Sequence, residues 1–301
     1  MNRRQFLNSV LIGTAGYSLV SASKAKIKKL TILHTNDTHS RIDPFPDNDS
    51  NYPGQGGIFA RQKAIEKVKA ESDHVLLLDA GDIFQGTPYF NLYGGKVELE
   101  AMSALGYDAA TMGNHDFDGG LDGFKKALKF ARFPFICSNY DFSKTVLKNK
   151  TIPYKIIRKG KLKIGILGIG VALDGLVSPE LFQETVYQDP FTTAQKYANL
   201  LRHDLKCNLV ICLSHLGYKQ PNQIDDINLA KITSSIDLII GGHSHTFMTK
   251  PEYHINKIGK QVLINQAGWA GLQLGKIELY FNEDEENQTW SNHSTELNIT
   301  V

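Results

Sequence analysis

The chain has 301 residues, of which 42% are hydrophobic and 21% charged, and its 33 basic and 31 acidic side chains give a formal net charge of +2. This near balance of charge gives no argument for binding a nucleic-acid backbone or an acidic membrane surface. With no internal repeat and no long linker, the length is sufficient for one large hydrophobic core.

The first 25 residues are typical of a bacterial twin-arginine export signal. The sequence NRRQFL at 2–7 precedes an apolar stretch at 11–20, which is too short to predict a membrane span. Small residues are frequent at 20–25. We therefore expect cleavage close to residue 25 and a periplasmic or secreted domain over residues 26–301, with no stable membrane insertion. An uncleaved anchor is the alternative.

Five short apolar runs, most of them rich in Val, Ile and Leu, predict buried strands, because Gly, Asn, Asp or Lys residues bound them. They cover residues 30–33, 75–78, 109–112, 209–213 and 236–240. Helical spacing of apolar residues predicts helices at 59–70, 98–105, 122–131 and 190–206. Asp189 before Pro190 is typical of a helix start, and Gly106 of a helix end. The alternation predicts an α/β domain with largely parallel sheets, in which ligands collect at the carboxyl ends of strands.

Two further segments have a distinct composition. Residues 43–57 are rich in Pro, Asn, Asp and Gly, which predicts a surface loop. Residues 274–281 and 289–301 flank an acidic segment and predict a hairpin that closes one sheet, with a partly ordered tail as the alternative.

Each of the five predicted strands is followed by a polar cluster. In chain order the clusters are HTNDTH just after the first strand at 34–39, GD at 81–82, GNHD at 113–116, SH at 214–215 and GGHSH at 241–245. Turn chemistry explains the Asp, Asn and Gly residues, but it does not explain several His residues at the same end of the strands. A two-metal hydrolase site is therefore the leading hypothesis. Oxygen and imidazole donors without a thiolate favour Mn, Fe, Co or Zn over a structural Cys-zinc site.

An ordered series of strings carries a family resemblance. It includes LHTNDTHSRI, VLLLDAGDIFQGTPYF, YDAATMGNHDFDGG, LSHLGY, IIGGHSHT and NQAGWAGLQLGKIEL. Over about residues 29–282, the chain resembles the calcineurin-like metallophosphoesterase domain of the 5′-nucleotidase family. The resemblance implies a four-layer α/β/β/α sandwich, with two mixed sheets packed face to face and the metals at one edge.

The resemblance also implies the roles of individual residues. One metal ion would be held by Asp37, His39, Asp82 and His245. The other would be held by Asp82, Asn114, His215 and His243, with Asp82 bridging the two. The implied catalytic group is His115, and Asp118 would orient its imidazole and raise its pKa. The implied activity is phosphomonoester hydrolysis, in which two divalent ions activate a water for in-line attack on phosphate.

Two-domain 5′-nucleotidases hold the nucleoside in a separate carboxyl-terminal domain. The resemblance found here covers the phosphate chemistry and does not extend to base recognition. Two interpretations follow: a stand-alone phosphatase of broad specificity, or a catalytic subunit that needs a separate nucleotide-binding chain. A related sulfur-compound hydrolase is an alternative, and a non-enzymatic metal-bearing interaction module is the least favoured one.

Other notable side chains receive ordinary structural interpretations. We expect His34 to pack in the core or against the ligands, Asp116 to be structural, and Arg61 to lie on a solvated helix face rather than to contact phosphate. The three cysteines lie in or beside apolar runs and predict buried free thiols. They are Cys137, Cys207 and Cys212.

Overall fold

The computed structural model describes residues 27–220, 224–282, 290–292 and 298–300. The predicted export signal at 1–25 lies outside the described residues, as do positions 283–286 of the acidic segment. Within the described ranges, no helix has the length and apolar character needed to span a membrane.

The described ranges contain fourteen strands and seven α-helices. The strands are β1 (Ile27–Thr35), β2 (Val75–Asp79), β3 (Ala109–Ala110), β4 (Tyr140–Asp141), β5 (Tyr154–Lys159), β6 (Leu162–Ile169), β7 (Val186–Tyr187), β8 (Leu209–Ser214), β9 (Leu238–Ile240), β10 (Glu252–Ile255), β11 (Gln261–Asn265), β12 (Gln273–Asn282), β13 (Trp290–Asn292) and β14 (Asn298–Thr300). The helices are α1 (Ile58–Ala70), α2 (Pro88–Tyr93), α3 (Lys96–Leu105), α4 (Gly120–Ala127), α5 (Pro179–Phe182), α6 (Pro190–Asn199) and α7 (Asp226–Ile232). Short 3₁₀ turns cover His115–Phe117 and Leu128–Phe130, and a π-helical turn covers Leu200–Asp204.

Two six-stranded mixed sheets form the centre of the fold. The first has the order β13-β12-β1-β2-β3, with β14 also paired to β12, and the second has the order β10-β11-β9-β8-β6-β5. In the first sheet β1, β2 and β3 are parallel, whereas β12 runs antiparallel to β1. In the second, β6, β8, β9 and β11 are parallel, and β5 and β10 are antiparallel edge strands. The sheets are therefore mixed, with parallel strands at the centre.

Three apolar clusters define four layers. Side chains from both sheets, among them Ile32 and Ile211, pack into one buried cluster between the sheets. Helices α1, α3 and α4 cover the outer face of the first sheet, and α6 and α7 cover that of the second. Because both faces are covered, the central strands are continuous apolar runs. The α/β/β/α sandwich expected from the resemblance is thus observed.

Most predicted elements are found, with shifted ends. Asp189 caps α6 by accepting the N–H of Thr192 at 2.7 Å, and Gly106 ends α3 with a φ of 78°. The helix predicted at 190–206 changes to π-helical geometry after Asn199. Residues 43–57 form a loop, and β13 and β14 pair antiparallel with β12, as the predicted hairpin requires. All three cysteines are buried and unpaired, which confirms that prediction.

Candidate metal centre

The five polar clusters meet at one edge of the sandwich, because each lies at the carboxyl end of a parallel strand. Backbone hydrogen bonds join the loops there. The N–H of Asp37 donates to the carbonyl of Gly81 at 2.8 Å, and the N–H of His39 donates to that of Asp82 at 3.1 Å. The loop after β1 is thereby fixed against the loop after β2.

Two groups of side chains at this edge have the spacing of a metal site. One group is Asp37, His39 and His245, and the other is Asp82, His215 and His243. Within each group the potential ligand atoms lie within 4.8 Å of one another. Asp82 Oδ2 lies 3.1 Å from His215 Nε2 and 4.0 Å from His39 Nε2, so this carboxylate lies between the groups. Asn114 joins the second group, since its Oδ1 lies 2.9 Å from His243 Nδ1. The structure thus brings all seven predicted ligands together.

The orientation of the imidazoles tests whether these donors fit a cation. His215 is fully buried, and its Nδ1 lies 2.7 Å from the carbonyl oxygen of Ala80, which assigns the proton of a neutral ring to Nδ1. Its Nε2 then directs a lone pair toward Asp82 and makes no hydrogen bond of acceptable geometry. Similarly, the Nε2 atoms of His39 and His245 face each other at 3.0 Å. Convergent lone pairs of this kind fit divalent cations with N and O ligands.

The electrostatics of the centre depend on burial and on Asp82. Burial alone would raise the pKa of Asp82, but the adjacent His215 lowers it below its usual range. Burial opposes the charged form of His215, yet Asp82 raises the pKa of this imidazole to about 10 in the absence of a metal ion, so a cation at Nε2 would have to displace a proton. Burial lowers the pKa of His39, and it lowers that of His243 to about 4. His243 is therefore neutral at pH 7 and has a lone pair available for a metal ion.

Close contact between the loops requires glycine at two positions. Gly81 has a φ of 93°, and a Cβ there would lie 2.5 Å from the backbone nitrogen of Gly113. A Cβ on Gly113 would lie 2.2 Å from Asp82 Oδ1. Both distances are far below van der Waals contact, so a side chain at either position would displace the carboxylate or its loop.

A buried carboxylate holds the same two loops. Asp116 is 1% exposed and accepts the N–H groups of Asp82 at 3.0 Å, Gly113 at 2.8 Å, Ile83 at 3.0 Å and Phe84 at 3.2 Å. It points into the protein backbone and belongs to neither group of potential ligands. This supports the structural interpretation of Asp116.

The His115–Asp118 pair lies beside the two groups. The ring nitrogen Nδ1 of His115 is 2.9 Å from Asp118 Oδ2, and this hydrogen bond raises the pKa of His115. The backbone N–H of His115 donates to Asp82 Oδ1 at 2.8 Å, which links the pair to the centre. The His115 side chain is 41% exposed, so it is accessible to a ligand.

The structure tests the expectations for His34 and Arg61. His34 is fully buried beside Asn265, and burial lowers its pKa to about 3, in agreement with a packing role. The expectation for Arg61 was wrong, because this side chain is only 3% exposed. Arg61 lies on the inner face of α1 with Ile65 and Val68. The sequence contained a signal for this position, because Ile65 and Val68 follow Arg61 by four and seven residues, which places all three on one face of a helix.

A pocket of about 300 Å³ opens next to the first group of potential ligands. Its lining residues are His39, Arg41, Gln85, Gly86, His115, His245, Trp269 and Ala270. Sequence reasoning missed Arg41 and Trp269, because neither residue type nor spacing marks them as part of the site.

An α/β/β/α sandwich with N and O donor groups clustered at the carboxyl ends of its parallel strands defines a hydrolase of the metallophosphoesterase class. A family model described as calcineurin-like phosphoesterase matches residues 30–247, and the chain belongs to that family.

Relatives and solved structures agree with this assignment. The chain is 33% identical over 295 residues to a snake venom 5′-nucleotidase of Gloydius brevicauda, covering 91% of this chain and 49% of that protein. The structure of Haemophilus influenzae NAD nucleotidase (NadN) matches with a TM-score of 0.79 and 28% identity, over 92% of this chain and 57% of that one. A 5′-nucleotidase precursor from Thermus thermophilus matches with a TM-score of 0.76 and 31% identity, over 90% and 55% respectively. The chain spans about half the length of the curated relatives it matches.

Proposed function

We propose that the chain is a metal-dependent phosphomonoester hydrolase of the 5′-nucleotidase type. The observation that carries the proposal is the position of Asp82 between two groups of potential ligands, with the His115–Asp118 pair beside them. A shared carboxylate between two such groups is the arrangement that a two-metal phosphatase needs.

The proposed ligands are the side chains of the two groups together with Asn114. Asp37, His39, Asp82 and His245 would hold one divalent ion. Asp82, Asn114, His215 and His243 would hold the other. When bound, two such ions lower the pKa of a shared water and stabilise an in-line displacement at phosphorus. Two carboxylates offset only part of their charge, so the site attracts a phosphate anion. The donor set suits Mn, Zn, Fe or Co.

His115 has the proposed role of stabilising the leaving oxygen. The hydrogen bond between Nδ1 and Asp118 fixes the tautomer and leaves Nε2 free to face the substrate. Since Asp118 also raises the pKa of the imidazole, the protonated ring is favoured. An imidazolium there donates a proton, or a charged hydrogen bond, to the leaving oxygen.

Nucleotide selectivity is weak in this proposal, unless a separate nucleotide-binding chain or segment contributes to the site. The size of the pocket supports weak selectivity. The pocket next to His39 has about 300 Å³, which is the lower limit for small-molecule sites.

The decisive experiment measures phosphate release and metal content in the same preparation. The substrates are nucleotides, sugar phosphates and an aryl phosphate, with a thiosulfate ester as the test of sulfur chemistry. We expect close to two transition-metal ions per chain and hydrolysis of the phosphomonoesters. One ion or none in protein from metal-replete cells, or no hydrolysis of any phosphate, would contradict the proposal. A preference for AMP over phenyl phosphate above about a hundredfold, or about 2.7 kcal/mol, would contradict weak selectivity.

Two variants separate the roles of ligand and acid. Asp82→Ala removes a donor common to both ions, so bound metal and activity fall together. His115→Ala keeps its metal and loses activity by about 10² to 10⁴, with a smaller loss on aryl phosphates, whose leaving groups need little protonation. Asp118→Asn acts through His115, so the double variant is little worse than His115→Ala alone. Equal metal loss in Asp82→Ala and His115→Ala would make His115 a ligand.

We also propose twin-arginine export of the chain, on the basis of residues 2–7 and 11–20. Substitution of both Arg3 and Arg4 by Lys in a bacterial host is expected to retain the protein in the cytoplasm. Export of this variant at the wild-type level would refute the assignment.

A further inference from the structure

The pocket beside the metal centre carries positive groups and no acid. Among the described residues that line it, Arg41 is the only one that is charged at all pH values of interest, and His39, His115 and His245 supply imidazoles. No Asp or Glu is part of this lining. Two cations bound at the neighbouring groups would make the pocket more positive still.

The aromatic cluster beside this pocket fixes Arg41. Its guanidinium carbon lies 4.0 Å from the centre of the Phe45 ring. Phe45 in turn packs against Trp269 with 5.9 Å between ring centres, and Trp269 stacks on His245 at 5.7 Å with only 7° between the ring planes. A guanidinium over a ring keeps the N–H donors at its edge available. These ring contacts connect Arg41 to His245, a proposed metal ligand.

Arg41 has no anionic partner in the described part of the chain, where its guanidinium forms no ion pair. Its Nε is buried without a hydrogen bond. The two carboxylates whose charges act on Arg41 are engaged elsewhere: Asp43 accepts the hydroxyl of Tyr89 at 2.9 Å, and Asp49 accepts backbone N–H groups at 2.8 and 2.9 Å. A partly buried cation with unused donors is a binding site that an anion can fill.

We propose that Arg41 binds a second anionic group on the leaving group of the substrate, so that the enzyme prefers phosphomonoesters whose leaving group is itself negatively charged. This inference rests on the proposed phosphomonoesterase function and names its substrate class. The scissile phosphate faces the proposed ligands, and the leaving group extends over His245 and Trp269 to Arg41. A pocket of about 300 Å³ has room for a leaving group of the size of a phenol.

The test compares substrates that differ in one charge. The anionic substrates are 3- and 4-carboxyphenyl phosphate, and their neutral counterparts are the 3- and 4-carbamoylphenyl phosphates. In the wild type, kcat/KM is expected to favour at least one carboxylate isomer over its amide by about tenfold or more. Arg41→Met is expected to bring that ratio close to one, a loss of about tenfold or more, and Arg41→Lys to restore part of it. Arg132→Met is the matched control, because Arg132 is exposed and is not part of the lining, and it should leave the ratio unchanged.

Binding without turnover supplies the second measurement. Calorimetry with 3- and 4-carboxybenzylphosphonate and their amides, which cannot be hydrolysed, is expected to give the same dependence on Arg41. Loss of this dependence with phosphate release intact would overturn the role of Arg41 alone. Dependence on Arg41 without any hydrolysis would overturn the proposed function and leave the binding site standing. If the wild type shows no preference for the carboxylate over the amide in either isomer pair, the inference is refuted without any variant.

Discussion

Asp116→Ala tests whether one buried carboxylate holds the metal-binding loops in place. The side chain accepts four backbone N–H groups, two of them from Asp82 and Gly113, at distances of 2.8 to 3.2 Å. Burial raises the pKa of Asp116 to about 7, so the comparison is made above about pH 8, where the carboxylate is charged and a hydrogen bond to it contributes about 1.5 to 3 kcal/mol. Bonds that share one carboxylate are not additive, because the loops relax together and water can enter. We therefore expect the free energy of unfolding to fall by about 3 to 5 kcal/mol, the range for breaking a buried pair.

The assay is urea unfolding of metal-free protein, with the free energy obtained by linear extrapolation. Asp174→Ala is the matched control, because Asp174 is exposed in a turn, and its effect should stay within about 0.5 kcal/mol. Asp116→Asn keeps one acceptor oxygen and loses the charge, so its loss should be intermediate. In metal-replete preparations, Asp116→Ala should also contain less metal than the wild type, since Asp82 loses its fixed position.

One outcome would refute this reasoning. If Asp116→Ala unfolds within about 1 kcal/mol of the wild type and retains full metal content, the four hydrogen bonds make no net contribution, and the loops are held by other contacts. A change in the slope of the unfolding curve alone would indicate a change in the unfolded or native ensemble rather than in these bonds.

Three further perturbations have defined outcomes. Gly113→Ala places a Cβ 2.2 Å from Asp82 Oδ1, so bound metal, measured by elemental analysis, and phosphatase activity should both fall. Gly123→Ala is the control, because a Cβ there has no atom within 4 Å. It should leave metal and activity intact and raise the free energy of unfolding by up to about 1 kcal/mol. Removal of metal by a chelator should lower the thermal midpoint, and added Mn or Zn should raise it as expected for a ligand that binds only the native state. The three buried cysteines should react with a thiol reagent only on unfolding, because burial raises the pKa of each thiol.

The sequence predicts the centre of the fold better than its edges. Central strands such as β1 and β8 are buried on both faces, so they form the apolar runs from which strands are predicted. The edge strands β5 and β10 are partly exposed along their length and lack such runs. In β6 the apolar run is interrupted by Gly165 and Gly168, which weakens a strand prediction. The structure gives a reason for Gly168, since a Cβ there would lie 1.9 Å from the carbonyl oxygen of Ile136.

In the site, too, some residues could be predicted from the sequence and others could not. The proposed ligands follow strands whose carboxyl ends meet, so their proximity could be predicted from strand order and residue type. Arg41 and Trp269 come together through the packing of residues 43–57 against 269–272, a contact between distant segments that periodicity does not encode. Arg61 was misassigned because a charged residue usually lies on the exposed face of a helix, and tertiary packing overrides that tendency here.

Backbone conformation predicts that the centre keeps its form without a bound ion. Five of the seven proposed ligands have positive φ angles between 46° and 71°, a region that costs residues other than glycine about 1 kcal/mol or more each. They are Asp37, His39, Asp82, His243 and His245. Such strain persists only where surrounding contacts determine the backbone, and here Asp116 and the bonds between loops supply those contacts. Because these contacts involve protein atoms alone, metal-free protein should keep its loops in place, and chelation should remove activity without unfolding the chain.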